Sequence, residues 1–234
     1  MKPRASIAIE TSCRCGGIAL GLDDRLARVV DFDASSRHAT TLVMRLRSLL
    51  ASVHLRPCEL DELYVSVGPG SFTGLRVGVT VARTLAQVTG GLRCVAVPTA
   101  LAVAHRAAEL EWGNLAVILD ARQGHIHASL FARQGQDIVP AGEPVVATPA
   151  EFLAAAPRPL LLTGEGLGYH ELTGDDIAQV DPSLRLPTAE CVWRVGRCKA
   201  QAGQFTDYHL LLPIYVRGPF FSTRQQSQTT LFHG

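Results

Sequence analysis

Twice along this chain the residue pattern runs through the same order of elements: strand, strand, strand, helix, strand, helix. The first pass predicts strands over 5–10, 16–22 and 26–33, a helix over 38–53, a strand over 63–67 and a helix over 73–88. A strand over 93–97 and a helix over 99–110 complete it. Ile7 and Ile9 alternate with smaller residues, as in a strand, while Gly16-Gly17 and Asp23-Asp24 mark turns. Leu42, Val43, Leu46, Leu49, Leu50 and Val53 recur at helical spacing and leave Arg45, Arg47 and Ser48 outward. Thr99, after Pro98, is placed as an N-cap. The second pass begins at Leu115: strands over 115–120 and 125–132 around a turn at 121–124, and a weak strand near 144–147. A helix over 149–156, a strand over 159–163 and a helix near 188–202 follow. Identity between the passes is negligible, so the repetition rests on element order alone. It predicts an α/β protein of two related lobes, 1–110 and 111–218, with a Gln-, Ser- and Thr-containing tail over 219–234.

The segment 63–90 is the most distinctive. A β-rich run enters a turn containing Gly68, Pro69, Gly70 and Gly74, and an amphipathic helix leaves it. Strand, glycine turn and helix start can hold an anion, because free amides and the positive end of the helix dipole converge there. The same pattern is also an ordinary corner in an α/β fold. Along the helix, Gly74, Gly78, Ala82 and Ala86 recur every fourth residue as a ridge without bulk, with Arg76, Thr80, Arg83 and Gln87 as a polar stripe. Leu75, Val79, Leu85 and Val88 cover much of the rest. A smooth ridge admits close approach by another helix or sheet, inside the chain's own domain or from a partner. Internal packing suits the glycines better than it suits the two arginines.

Composition narrows the classes. Of 234 residues, 47% are hydrophobic and 18% charged, which excludes a disordered chain. A net charge of +1 supplies no global field for gripping nucleic acid, so any RNA contact is expected to be local or supplied by a partner, mainly indirect. No apolar run reaches the roughly 20 residues that span a bilayer, and the opening residues read as a strand rather than a leader, so a cytoplasmic location is expected. The six cysteines lack zinc-finger spacing, and no metal site is expected.

Duplicated units of this order resemble the ribonuclease-H-like halves of the sugar kinase, Hsp70 and actin superfamily, which binds ATP between its halves. Ile7-Ala8-Ile9-Glu10-Thr11-Ser12 sits where that superfamily has its first phosphate loop, and Asp120-Ala121-Arg122-Gln123-Gly124 at its second hairpin. Thr163-Gly164-Glu165-Gly166-Leu167-Gly168 sits where a glycine loop covers adenosine. More specifically, the chain resembles the bacterial TsaB (YeaZ) family, which assists in making threonylcarbamoyladenosine on tRNA. The resemblance covers about residues 5–218. It rests on Gly68-Pro69-Gly70-Ser71-Phe72-Thr73-Gly74-Leu75-Arg76-Val77-Gly78, on the Asp120 motif, and on Leu212-Pro213-Ile214-Tyr215-Val216-Arg217. Ile9-Glu10-Thr11-Ser12-Cys13 is similar to the opening of the catalytic sister family TsaD, but Arg14-Cys15-Gly16 departs from it. Where the sister carries two metal-binding histidines, this chain has His38 and Leu42.

The resemblance implies a non-catalytic subunit that binds and activates a TsaD-like transferase, with a TsaE-like ATPase completing the complex and a self-dimer on the same face when the partner is absent. The partner face is expected to use Leu42, Arg45, Leu46, Leu49, Gly74, Arg76, Gly78, Thr80, Ala82, Arg83 and Ala86. Gly78→Leu is accordingly expected to weaken the heterodimer while sparing the fold. Glu10, Thr11, Ser12, Gly70, Ser71, Asp120 and Gly164 are expected as vestigial nucleotide contacts, with ATP or ADP and magnesium only in the complex and no cofactor of the chain's own. The alternative is a stand-alone ATPase or small-molecule kinase, against which Glu165 sets a charge that repels phosphate; Arg14 is placed to neutralise Glu10. His125 and His127 share a strand face and are read as a solvent-facing pair. Ser71 lacks the Gly-x-Ser-x-Gly elbow of a hydrolase nucleophile, and a protease reading is rejected.

Overall fold

The computed structural model describes residues 3–32 and 38–215, main chain only at 38–40. The predicted tail over 219–234 and the side chain of His38 lie outside the described residues. Strands β1 (Ala5–Glu10), β2 (Gly16–Leu22), β3 (Arg25–Phe32), β4 (Glu62–Gly68) and β5 (Arg93–Pro98) form one sheet in the order β3-β2-β1-β4-β5. Strands β6 (Asn114–Arg122), β7 (His125–Gln134), β8 (Asp137–Pro140), β10 (Leu160–Thr163) and β11 (Ile177–Gln179) form a second, ordered β8-β7-β6-β10-β11, with β9 (Val145–Ala147) also pairing β7. With β9 left out of the count, both sheets read third, second, first, fourth, fifth. In both, the first three strands pair antiparallel and the last two run parallel to the first. The duplication expected from element order is therefore a duplication of wiring.

Helices α1 (His38–Ala51), α2 (Phe72–Thr89), α3 (Thr99–Ala104), α4 (Pro149–Ala155) and α5 (Ala189–Gln201) cover the sheets. Leu42, Leu46, Leu49 and Leu50 of α1 and Val79, Ala82 and Ala86 of α2 share a core with Ile7, Ile9, Ile18 and Leu63 of the first sheet. The two remaining long contacts are exchanged between halves. Helix α5, late in the chain, lies on the other face of the first sheet with Ala8, Ala19, Tyr64 and Val95. Helix α3 puts Ala100, Val103 and Ala104 against Leu115, Val117 and Phe131 of the second sheet. Two glycines make room for α5: Gly21 leaves space for the Trp193 indole, and Gly196 lets the helix rest on the Tyr64 ring. The Trp193 indole N–H donates to Ser6 Oγ at 2.9 Å in this buried layer. A cut at residue 110 thus separates the sheets, while the last helix of the expected 111–218 lobe sits on the first of them.

Local signals worked with two corrections. Ser71 caps α2, its Oγ accepting from Gly74 N at 3.3 Å, and Thr148 and Glu151 form a reciprocal capping box on α4. Thr99 does not cap α3. Pro98 holds that position, Thr99 is the first helical residue, and its buried Oγ makes no hydrogen bond. The predicted helix over 99–110 ends at Ala104 and tightens into a 3-10 turn over His105–Ala107. The short strands β8 and β11 escaped prediction.

Candidate functional site

At the C-terminal ends of β1, β4 and β6 the halves face each other across a cleft of about 790 Å3. One wall carries Ser12, Cys13 and Arg14 of the β1–β2 loop together with Gly70, Ser71 and Phe72 at the start of α2. The opposite wall carries Asp120 and Arg122 of the β6–β7 hairpin, Glu165 and Tyr169, and Tyr215 closes one end.

The first wall is packed against itself. A Cβ at Gly70 would collide with the Ser12 carbonyl oxygen, one at Gly74 with the Thr11 carbonyl oxygen, and one at Gly78 with Thr11 Oγ1. The glycine turn and the first turns of α2 therefore serve as a seat for the end of β1. Gly78→Leu would break that seat, so it does not spare the fold as expected. Ser71 N donates to the Ser12 carbonyl at 2.6 Å, and Ser12 N and Oγ both donate to one oxygen of Glu10. Glu10 is fully buried, its second oxygen unpartnered among the described residues, and burial pushes its carboxyl up to about 7. Burial and the neighbouring Glu10 push the Cys13 thiol far above its usual range, so it is no nucleophile.

On the second wall, Asp120 Oδ1 accepts from Arg122 N at 3.1 Å and pairs with His170 Nε2 at 3.0 Å. Gly164, at φ +107°, brings its loop against the backbone of Ile118, so the glycine expected to admit a nucleotide admits the neighbouring strand. Half-buried Glu165 is held above the usual carboxylate range by burial and by Asp120, while Arg14 and Arg122 oppose the shift. Arg14, in the loop after Glu10, thus offsets part of the Glu165 charge. A nucleotide phosphate needs free amides. Those of Ser12, Ser71, Gly74 and Arg122 already donate within the protein, and two carboxylates line the same space. Arg14 and Arg122 line the cleft as well, so what weakens it as a phosphate site is the internal use of these four amides. Among the described residues no group of three or more His, Cys, Asp or Glu side chains is arranged to hold a metal. His125 and His127 are half-buried rather than solvent-facing, and burial lowers the pKa of His127.

The predicted docking residues divide. Leu42, Leu46, Leu49, Gly74, Gly78, Ala82 and Ala86 are buried in the chain's own core, so the small-residue ridge is turned inward. Arg45, Arg76 and Thr80 are exposed and Arg83 is half-buried. Sequence reasoning missed the exposed apolar groups of the same layer: Val43 (52% exposed) and Met44 (64%) on α1, and Phe72 (53%) and Val88 (71%) on α2. Helical spacing groups Val43 with the inward residues of α1, and places Val88 only among the apolar residues covering the rest of α2. Arg76 stacks on Phe72 and donates to the Tyr215 hydroxyl at 3.1 Å, tying the end of the described chain to the first turn of α2.

Two sheets of identical wiring around a cleft define the duplicated α/β class of the sugar kinase, Hsp70 and actin superfamily. Within it, residues 29–171 match the family model described as TsaD, tRNA N6-adenosine threonylcarbamoyltransferase. The chain is 29% identical over 219 residues to a Bacillus subtilis protein named tRNA threonylcarbamoyladenosine biosynthesis protein TsaB, covering 90% of this chain and 93% of that one. The solved structure of YeaZ from Pseudomonas aeruginosa superposes with a TM-score of 0.79 at 25% identity, covering 92% of this chain and all of that one. A Thermomicrobium roseum tRNA N6-adenosine threonylcarbamoyltransferase is 30% identical over 150 residues, 57% of this chain but only 35% of that enzyme. The chain belongs to the TsaB (YeaZ) branch of this family.

Proposed function

We propose that this chain works in the biosynthesis of threonylcarbamoyladenosine on tRNA as a subunit that binds and activates a TsaD-like transferase, without performing the transfer itself. The observation that carries the reading is the outward face of the α1/α2 layer. It combines exposed Val43, Met44 and Val88 with Arg45, Arg47, Arg76 and Arg83, and neither helix contains an acidic residue. An apolar centre with a one-signed rim is how a docking surface differs from a solvated helix face, and it suits an apolar partner surface rimmed by carboxylates. The occupied amides of the cleft support the absence of nucleotide chemistry in the isolated chain. In this reading the partner carries the reaction to the adenosine beside the anticodon and makes the main tRNA contact. A TsaE-like ATPase completes the complex in the cytoplasm, and two copies pair through the same face when no partner is present.

Calorimetric titration of a purified TsaD-like partner tests the reading. Met44→Asp and Val88→Asp, both on exposed positions, are expected to weaken binding by about 30-fold or more while leaving the thermal transition in place. Unchanged affinity would discard this face. Partner-independent ATP turnover by the isolated chain would overturn the non-catalytic role.

A further inference from the structure

A second hollow, of about 360 Å3, lies at the opposite end of the second sheet, where β6 and β10 begin. Half-buried Trp112, Leu161 and Ile177 give it apolar walls, and exposed Glu111 and Asp176 stand at it. Among the described residues no arginine or lysine lines it. The nearby cations are engaged: Arg133 stacks over the Trp112 ring at 4.5 Å and donates to the carbonyls of Ala108 and Leu110, Arg158 donates to those of Leu153 and Ala156, and Arg185 donates to the Gln179 side-chain oxygen at 3.1 Å. Neither Glu111 nor Asp176 has an ion pair or side-chain hydrogen bond among the described residues.

The hollow adjoins an open sheet edge. Strand β11 is the last of its sheet and pairs, among the described residues, only with β10. The Asp176 carbonyl accepts from Leu160 N and Val180 N donates to the Leu162 carbonyl, so both face β10. Alternation along a parallel strand then turns the amides and carbonyls of Ile177 and Gln179 outward. Free edge groups of this kind accept an added strand, and the side chains beside them choose its sequence.

We propose that the free edge of β11 and the adjoining hollow bind an extended peptide segment carrying basic residues beside apolar ones. The segment's backbone pairs with Ile177 and Gln179, its apolar groups enter the hollow, and its cations meet Glu111 and Asp176. Two unpaired carboxylates beside an apolar wall, with no lining cation, favour this occupant over an acidic segment or an uncharged one. The site is remote from the cleft and does not depend on the α1/α2 face.

The test is fluorescence anisotropy on the full chain with a labelled octapeptide of alternating lysine and valine. Its glutamate–valine counterpart and a version N-methylated at alternate amides serve as controls. Saturable binding of the lysine probe alone is expected, weakened at least about tenfold in the Glu111→Gln/Asp176→Asn double variant. Asn suits the left-handed backbone of position 176, at φ 56°, and position 111 is exposed, so the variant keeps the fold. Equal binding of the glutamate probe, or an unaffected double variant, overturns the charge assignment. Equal binding of the N-methylated probe overturns strand addition. Displacement by spermine at matching affinity would make the hollow a polyamine site instead. Self-association of the chain that the double variant abolishes would make the occupant a second copy. Failure of the lysine probe to bind at millimolar concentration ends the proposal.

Discussion

The carbonyl oxygen of Thr11 occupies the space in which Gly74 would carry a side chain. One turn on, the Thr11 hydroxyl stands in the same relation to Gly78. The small-residue row of α2 is a bearing surface for the end of β1, which is why it cannot also face a partner.

Two alanine substitutions should therefore rank in a fixed order. Gly74→Ala meets backbone that cannot move without disturbing β1, and a cost of about 1–3 kcal/mol is expected. Gly78→Ala meets the end of a rotatable side chain and should cost less. Urea unfolding of both variants checks the order.

Glu10 makes stability depend on pH. Its carboxyl titrates near 7 in the folded protein against 4.5 for the ordinary group. Below about 4.5 both states are protonated and no difference arises. Between 4.5 and 7 the unfolded state ionises first, so stability falls by roughly 3 kcal/mol as pH rises through this window, then levels off. Glu10→Gln should remove that slope in unfolding measured from pH 4.5 to 8.

Trp193 should be a stability hotspot for the first sheet although it lies 171 residues beyond the end of β2. Trp193→Ala removes a buried indole and its bond to Ser6, and a loss of about 3–5 kcal/mol is expected. Trp193→Phe, which keeps the ring but not the donor, should cost about 1–2 kcal/mol. Calorimetric unfolding separates the two.

Reversing charge on the docking layer should change kinetics more than stability. Arg45→Glu/Arg83→Glu is expected to leave unfolding within about 0.5 kcal/mol of the parent. The association rate with a TsaD-like partner should fall and lose most of its salt dependence, which stopped-flow mixing at two ionic strengths would register.

Element order carried the repeated wiring, because alternation at Ile7 and Ile9 and helical spacing from Leu42 to Leu50 are local properties. The exchange of α3 and α5 between sheets left no local trace. Their apolar faces announce burial but not which sheet receives them, and Gly21 gives no sign that Trp193 needs its space. At the site, the residue types at Glu10, Gly74 and Gly164 were legible, but their use was not. A glycine admitting a ligand and one admitting a neighbouring carbonyl look alike in sequence. So do Leu42, which is buried, and Val43, which is not, because adjacent residues on a helix lie at the border of one apolar arc.

The late arrival of α5 has a consequence for synthesis. Ala8, Ala19, Tyr64 and Val95 are all made before residue 100, yet their cover spans Ala189–Gln201. While the chain is still on the ribosome, the leading half carries an apolar sheet face that only Leu101 and Ala102 of α3 help to cover until residues 189–201 have emerged, a period in which it needs shelter from other nascent chains.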